Sequence, residues 1–308
     1  MVETPALPAA AAKNEDSLSG FLFALTAYLL WGFLPLYMKA LAHIPPVEVI
    51  AHRVVWSVPV ALAVLVWLGR TEDLGTALRS PRMLGMGVMT AALISVNWGI
   101  YVWAIGSGHA LDAALGYYIN PLFSIFLGAV LLRERIGQMQ GVAIALAAVA
   151  VAILTWEAGR LPVVALGLTV TWGFYAFLKK WLPIGPNQGF ALEVLILLPL
   201  ALAYMLWLWG AGGGHFLQGV PWDDALLIGC GIVTAGPLMI YANGAKRLRL
   251  STIAIMQYIA PTLIFLTAVF IFDEPFSSVK LLAFGLIWTA LVIYSMPLLT
   301  SRLRDRVG

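Results

Sequence analysis

The sequence predicts an all-α integral membrane protein with ten transmembrane helices, arranged as two inverted five-helix repeats with both termini in the cytoplasm. The first observation is composition. Of the 308 residues, 61% are hydrophobic and only 11% are charged, whereas ordinary soluble domains carry about 25% charged residues. The second is a series of ten apolar runs, each close to the roughly 20 helical residues that cross a bilayer. The third is the alternation of positive charge between successive loops.

The elements follow one another with short polar connections. Residues 1–19 are polar and rich in Ala and Pro, lack the basic start and apolar core of a signal peptide, and predict a disordered tail. The longest connections, 69–82 and 211–222, are predicted to be loops. The ten predicted spans are 20–42, 46–68, 83–106, 110–131, 138–156, 161–181, 188–210, 223–245, 250–272 and 279–300.

The distribution of Lys and Arg sets the predicted orientation, because cytoplasmic loops carry an excess of both residues. With the N-terminus in the cytoplasm, 14 of the 18 Lys and Arg residues lie on the cytoplasmic side. Only Arg160 and Lys280 fall on the opposite side, while Lys39 and Arg53 lie within spans. The basic residues are scattered over short loops and form no single patch, so nucleic acid is not an expected partner.

The sequence offers no cofactor or metal site. Its one cysteine, Cys230, lies in an apolar run and has no partner for a disulfide. An intramembrane enzyme needs a nucleophile, an acid–base set or metal ligands at depth. The four histidines are not spaced with carboxylates or with Cys230 for such a role: His43, His52, His109 and His215. We therefore expect a protein that is not an enzyme and binds no cofactor.

The two halves of the chain resemble each other at several positions in the same order. The offset is 141 residues for the Trp-Gly pairs and 140 for the next two pairs. The matching positions are Trp31-Gly32 with Trp172-Gly173, Tyr101 with Tyr241, and Pro121 with Pro261. Since five helices are an odd number, the second repeat enters the membrane the other way up. The predicted units are a tail at 1–19, repeats at 20–156 and 161–300, and a cytoplasmic tail at 301–308.

Two prolines near the centres of apolar runs predict broken helices. Pro121 follows Tyr117-Tyr118-Ile119-Asn120, and Pro261 follows Tyr258-Ile259-Ala260. A proline frees a backbone carbonyl that lipid cannot satisfy, so such a break must face protein or a water-filled cavity. Broken helices in matching places of two repeats point to a transporter binding site near the middle of the membrane.

These repeats resemble the drug/metabolite transporter superfamily of the EamA type. In that family each repeat begins with a helix that carries a Trp-Gly motif, and its fourth helix ends with an acidic residue. The matching positions are Trp31-Gly32, Trp172-Gly173, Glu134 and Glu274. Residues 48–57 and 95–101 look like the RarD branch. The resemblance implies a multi-pass transporter of the bacterial inner membrane that exports small metabolites, and aromatic amino acid exporters of the YddG type are functionally close.

Arg53 is the most costly residue to place in the membrane, at about 2.5–3.5 kcal/mol near a helix centre. It should face inward and have a partner. One reading is an anchor for the carboxylate of an amino-acid substrate, since a guanidinium binds carboxylate with two hydrogen bonds. The alternatives are an ion pair with Glu48 one turn away, or snorkelling to the interface. His52 either contributes to the site and relays protons, or hydrogen-bonds a neighbouring helix.

Further polar and aromatic side chains share faces with the proline positions and are expected to line a substrate cavity. The alternative is that the amides only hold helices together. The cavity candidates are Tyr28, Asn97, Trp98, Tyr101, Tyr117, Asn120, Thr169, Tyr241 and Gln257. The candidates for hinges or gates are Pro121, Pro261, Trp31, Trp172 and Lys39.

Glu193 is the one carboxylate placed to test for proton coupling, because it lies inside a predicted span. The fifth and tenth spans contain few polar groups and are predicted to lie at the periphery, where they brace each half or form a homodimer contact. The expected function is export of small amphipathic metabolites, most of all aromatic or hydrophobic amino acids, by alternating access. Channel-like facilitated efflux of drugs or other metabolites is the alternative. The expected partners are a small-molecule substrate and the lipid bilayer.

Overall fold

A computed structural model of the chain describes residues 17–131, 137–159, 161–245, 247–248, 253 and 256–304. The regular elements within these ranges are all α-helices. The helices are α1 Leu18–Ala40, α2 Pro46–Trp67, α3 Glu72–Arg79, α4 Pro81–Gly106, α5 Ala110–Leu131, α6 Gln138–Ala158, α7 Val163–Trp181, α8 Pro186–Gly210, α9 Pro221–Ala245, α10 Ile259–Phe270 and α11 Ser278–Arg304. Glu134, the acidic position predicted for the first repeat, lies outside the described residues.

The described helices make this a multi-pass membrane protein. Seven of them are long and apolar enough to cross a bilayer, namely α1, α2, α4, α5, α6, α8 and α9. Three shorter apolar helical stretches follow the same composition: Val163–Lys179, Ile259–Phe270 and Ser278–Tyr294. The crossing of ten helices, the inverted repeats and the cytoplasmic location of both termini stay predictions.

Exposed tryptophans mark the ends of several apolar helices. They include Trp67 at the end of α2, Trp156 near the end of α6, Trp209 at the end of α8 and Trp222 at the start of α9. Indole rings prefer the boundary between lipid and water, where their apolar body and N–H group both find a suitable environment. Their positions agree with helices that end near the two membrane surfaces.

The prediction of a plain loop over residues 69–82 was wrong. This segment contains the short helix α3, which packs on α8 and α4. Leu74 and Ala77 are three residues apart, so they lie on one face and are both buried. Gln188 of α8 donates to a carboxylate oxygen of Asp73 at 3.1 Å. An eight-residue amphipathic helix is too short to appear as an apolar run, so the search for membrane-length runs did not predict it.

The two prolines occupy different places in their helices. Pro121 lies inside α5, which continues through it from Ala110 to Leu131 without the predicted break. Pro261 is the third residue of α10, and residues 257–258 form a turn before this helix begins. Proline is tolerated in the first turn of a helix, where no intrahelical donor is lost. In the second half, the break predicted beside Pro261 therefore coincides with this turn and the start of α10.

The first helix of each half packs against helices of the other half. α1 contacts α9 and α10, while α7 contacts α4 and α5. α6 packs mainly against α11. The α1–α9 pair is antiparallel, since Tyr37 near the end of α1 donates to the carbonyl of Leu226 near the start of α9, and Ser17 before α1 donates to the carbonyl of Arg247. The halves are thus interleaved instead of lying side by side.

Glu274 fixes the start of α5 from the other half of the chain. Its two carboxylate oxygens accept from the backbone N–H groups of Ala110 and Leu111 at 2.6 and 2.9 Å. The first N–H groups of a helix have no intrahelical acceptor and carry a partial positive charge, so a carboxylate there stabilises the helix start. The acidic position that closes the predicted fourth helix of the second repeat therefore has a structural contact.

Candidate functional site

A close approach of α2 and α9 builds the centre of the candidate site. The two helices are antiparallel, and Gly231 of α9 lies against the backbone of Trp56 on α2, where a Cβ atom would collide with the Trp56 carbonyl group. Only glycine permits backbones to approach this closely. Three residues further along α9, Thr234 lies opposite Arg53 of α2.

Arg53 is fully inside the protein, with 3% of its surface exposed. Its Nε donates to the hydroxyl of Thr234 at 3.0 Å. Its guanidinium carbon lies 4.7 Å from the centre of the Trp98 ring on α4, which is a cation–π contact. Nη1 has no hydrogen-bond partner, and no carboxylate of the described residues forms an ion pair with this side chain.

Two hydroxyl groups close to this arginine in the fold also lack partners. Ser57 follows Arg53 by one helical turn on α2, and its buried Oγ has no hydrogen bond. The hydroxyl of Tyr101 on α4 is likewise buried and unpaired. The Tyr101 and Tyr117 rings are 5.9 Å apart, and both phenols lie within electrostatic range of Arg53.

This arrangement can bind an anion. A buried polar group without a partner costs free energy, and a buried charge without a counter-charge costs considerably more. Arg53, Ser57 and Tyr101 present N–H and O–H donors, which are the groups that a carboxylate accepts from. The predicted side chains Arg53, Trp98, Tyr101 and Tyr117 are thus brought together, and they come from α2, α4 and α5.

A second aromatic group lies further along α9. The rings of Tyr28 and Trp31 on α1 and Tyr241 on α9 are mutually in contact, with centroids 5.5–5.7 Å apart. Tyr241 follows Thr234 by seven residues, which is two helical turns or about 10 Å. The sequence predicted Tyr28 and Tyr241 for the cavity and Trp31 for a hinge or gate, and the structure places the three together but apart from Arg53. We call Tyr28, Trp31 and Tyr241 the aromatic cluster.

Glu193 has a charged partner that the sequence analysis did not assign to it. The carboxylate on α8 is 1% exposed and accepts from Lys179 Nζ of α7 at 2.5 Å. The hydroxyl of Tyr175, one turn before Lys179, donates to the other oxygen at 3.1 Å. Lys179 is one of the 14 basic residues that the sequence places on the cytoplasmic side, yet its amine contacts this buried carboxylate, which needs a counter-charge.

Two predicted cavity residues make helix–helix hydrogen bonds. The amide of Asn97 donates to the Leu168 carbonyl at 3.1 Å and to the Thr171 hydroxyl at 2.8 Å, joining α4 to α7. The Thr169 hydroxyl lies 2.9 Å from the carbonyl of Gly116 and joins α7 to α5. The Asn97 contacts correspond to the alternative in which the amides hold helices together, and Thr169 makes a contact of the same kind.

The remaining predicted residues are dispersed. Asn120 is buried with an unpaired Oδ1 atom, whereas Gln257 is half-buried in the turn before α10. Trp172 packs on Tyr175 with ring centres 5.5 Å apart. The exposed Lys39 lies 5.3 Å from the ring of Phe272.

The predicted alternative of an Arg53–Glu48 ion pair is wrong. Glu48 instead accepts from His215, through the backbone N–H at 2.6 Å and the imidazole Nδ1 at 2.9 Å. Phe216, the next residue, packs on the His52 ring at 4.9 Å. His52 also accepts from the indole N–H of Trp56 at 3.1 Å. The segment between α8 and α9 therefore satisfies the polar groups at the start of α2 and leaves Arg53 without its expected neighbour.

Sequence reasoning missed Thr234, Lys179 and His215. Thr234 sits in an apolar run without a charge or a motif, and only the antiparallel packing of α2 and α9 brings it to Arg53. For Lys179 a signal was present, since Glu193 inside a span requires a basic partner. His215 lies in a Gly-rich connection that carried no periodic pattern.

The chain is similar to known transport proteins. The model of the EamA-like transporter family matches residues 18–156. An uncharacterized transporter of Vibrio cholerae is 41% identical, with 92% of this chain and 94% of that protein covered. Protein RarD of Escherichia coli is 38% identical, covering 94% and 98%. A solved crystal structure resembles the fold with a TM-score of 0.59 and 22% identity, over 92% of this chain and 98% of that one.

Proposed function

Because the chain belongs to the EamA-like transporter family, with RarD-type relatives over more than nine-tenths of its length, we propose that it exports small amphipathic solutes that carry a carboxylate. Amino acids with aromatic or hydrophobic side chains are the first class to test. The proposed location is the bacterial inner membrane. The proposed mechanism is alternating access around a cavity between the two repeats.

The observation that carries this proposal is that Arg53 is buried and has no counter-charge among the described residues. A buried guanidinium without a counter-ion is destabilising by several kcal/mol. A protein can retain such an unpaired charge when a bound ligand supplies the counter-charge. Ionisable residues inside membrane segments are commonly part of transport pathways. Nη1 of Arg53, the Ser57 hydroxyl and the Tyr101 hydroxyl are the unsatisfied groups that would contact the carboxylate.

The aromatic cluster supports an amphipathic substrate. Small-molecule sites are usually apolar and aromatic, with a few polar groups that fix orientation. Trp98 and Tyr117 lie beside Arg53, and the aromatic cluster follows at about 10 Å along α9. A solute with a carboxylate at one end and an apolar body would find both kinds of contact.

The interleaved packing supports alternating access. The contacts of α1 with α9 and α10 correspond to those of α7 with α4 and α5, as expected if two repeats are related by a twofold axis. Rocking of one helix group against the other would then expose Arg53 to each side in turn.

Counterflow in proteoliposomes tests the proposal. A carrier with alternating access shows trans-stimulation, so labelled substrate enters faster when unlabelled substrate is inside, whereas channel-like efflux shows none. Arg53→Gln should abolish saturable counterflow of carboxylate-bearing solutes. Arg82→Gln, which removes an exposed arginine at the start of α4, is the matched control. Counterflow at the wild-type rate in Arg53→Gln would exclude Arg53 as the anchor.

A further inference from the structure

The buried carboxylates of the described residues all have partners. Glu48 accepts from His215, and Asp223 lies 3.0 Å from the imidazole of His43. Glu193 pairs with Lys179 and Tyr175. Glu274 caps the start of α5 through two backbone N–H groups. Arg53, by contrast, is buried and has no carboxylate among these side chains.

This imbalance bears on the charge of the ligand. A monoanion bound to Arg53 would give a site with no net charge. A zwitterionic amino acid would add an ammonium group, which also needs a counter-charge when it is removed from water. None of the four buried carboxylates in the described part of the chain is free to provide it without breaking an existing ion pair or helix cap.

Aromatic rings are the other groups that hold ammonium, through cation–π contacts. The face of Trp98 is occupied by the guanidinium of Arg53 itself. The Tyr101 and Tyr117 rings beside Arg53 lie against each other, with centres 5.9 Å apart. The rings of the aromatic cluster lie against one another and begin about 10 Å along α9 from Thr234. In an α-amino acid the ammonium and carboxylate groups share one carbon, so an ammonium held near Arg53 cannot reach the cluster.

We propose that the Arg53 site selects monoanionic aromatic carboxylates over zwitterionic amino acids. This inference rests on the proposed function, in which Arg53 anchors a carboxylate. It names the class of solute more narrowly: an aromatic or apolar body with a carboxylate and no adjacent amine. Under this assignment amino acids bind the same site weakly, and the corresponding amines do not bind there.

Matched ligands that differ only in the amine provide the test. The set is 3-phenylpropionate, phenylalanine and phenethylamine, with indole-3-propionate and tryptophan as a second pair. Binding to the purified full-length protein is measured by calorimetry and by inhibition of counterflow. We expect each desamino acid to bind at least tenfold more tightly than its amino acid, with no binding of phenethylamine at the Arg53 site.

The outcomes separate this inference from the proposed function. If phenylalanine binds as tightly as 3-phenylpropionate and both are lost in Arg53→Gln, the anchor stands and the selection for monoanions is overturned. If 3-phenylpropionate binds equally to the wild type and to Arg53→Gln, the anchor itself fails. If no monoanion binds the wild type at millimolar concentration, the selection is overturned as well. Arg53→Lys keeps the charge but not the two-pronged geometry, and it should retain part of the preference.

Discussion

Arg53 and Glu193 are buried to nearly the same extent, at 3% and 1% exposure, yet their surroundings differ. Glu193 has a cation at 2.5 Å and a tyrosine hydroxyl at 3.1 Å. Arg53 has one hydroxyl acceptor and an aromatic face, but no anion among the described residues. Burial alone therefore does not identify a functional charge. The state of its partners separates a charge that holds helices together from one that is left for a ligand.

The difference has a physical basis. An ion pair removed from water is tolerated when geometry and further hydrogen bonds compensate the lost hydration, as they do between α7 and α8. An unpaired charge keeps the full cost, and the protein can recover it only when a counter-ion binds. Removing a charge should accordingly have opposite effects on stability at the two positions.

The largest expected effect is on stability at the paired position. Glu193→Ala leaves Lys179 buried without a counter-charge and should destabilise the protein by about 3–5 kcal/mol. Denaturant titration of the purified protein in detergent measures this change in the free energy of unfolding. The double variant Glu193→Ala with Lys179→Met removes both charges and should recover much of the loss. Equal stability of the single and double variants would show that the pair is not coupled.

Arg53→Met should lower the affinity for carboxylates without lowering the stability of the protein. Without the unpaired charge the protein should unfold no more easily than the wild type, while carboxylate affinity falls by about 1.5–3 kcal/mol, or roughly ten- to a hundredfold. Calorimetry with 3-phenylpropionate measures the affinity, and denaturant unfolding of the same preparations measures the stability. Marked destabilisation with unchanged affinity would assign Arg53 a structural role like that of Glu193.

A smaller effect on carboxylate affinity is expected at Thr234, which orients Arg53 but does not itself contact the anion. Thr234→Val keeps the shape and removes the acceptor for Nε, so affinity should fall by about 1 kcal/mol, or roughly fivefold. Thr234→Ser keeps the hydroxyl and is the matched control. The positioning role is refuted if valine and serine at this position give the same affinity.

The smallest effect is expected at a pair that remains partly in water. His43 is half exposed and lies 3.0 Å from Asp223. Because exposed ion pairs contribute about 0–1 kcal/mol, His43→Ala should change the unfolding free energy far less than Glu193→Ala does. Equal losses at the two pairs would mean that burial does not set their strength.

The sequence was sufficient to predict the features that depend on composition and on the free-energy cost of placing a charge in the membrane. The apolar runs predicted the long helices, and Arg53 stood out because a charge within a span is costly. Tyr28, Trp31 and Tyr241 were also found, although their separation from Arg53 was not. The missing features depend on contacts between distant segments. Thr234 contacts Arg53 only because α2 and α9 approach closely at Gly231. Glu48 pairs with His215 because the 211–220 segment folds back onto α2.

The most direct test of the central claim is a distance between the ligand carboxylate and the Arg53 guanidinium. Solid-state NMR of the ¹⁵N-arginine-labelled protein in liposomes, with ¹³C-carboxyl 3-phenylpropionate, measures their dipolar coupling. A charge-assisted hydrogen bond of about 2.8 Å places the carboxyl carbon about 4 Å from a guanidinium nitrogen. Our account predicts this coupling in the wild type and its loss in Arg53→Gln. Bound ligand without the coupling, or a coupling that persists in Arg53→Gln, would contradict it.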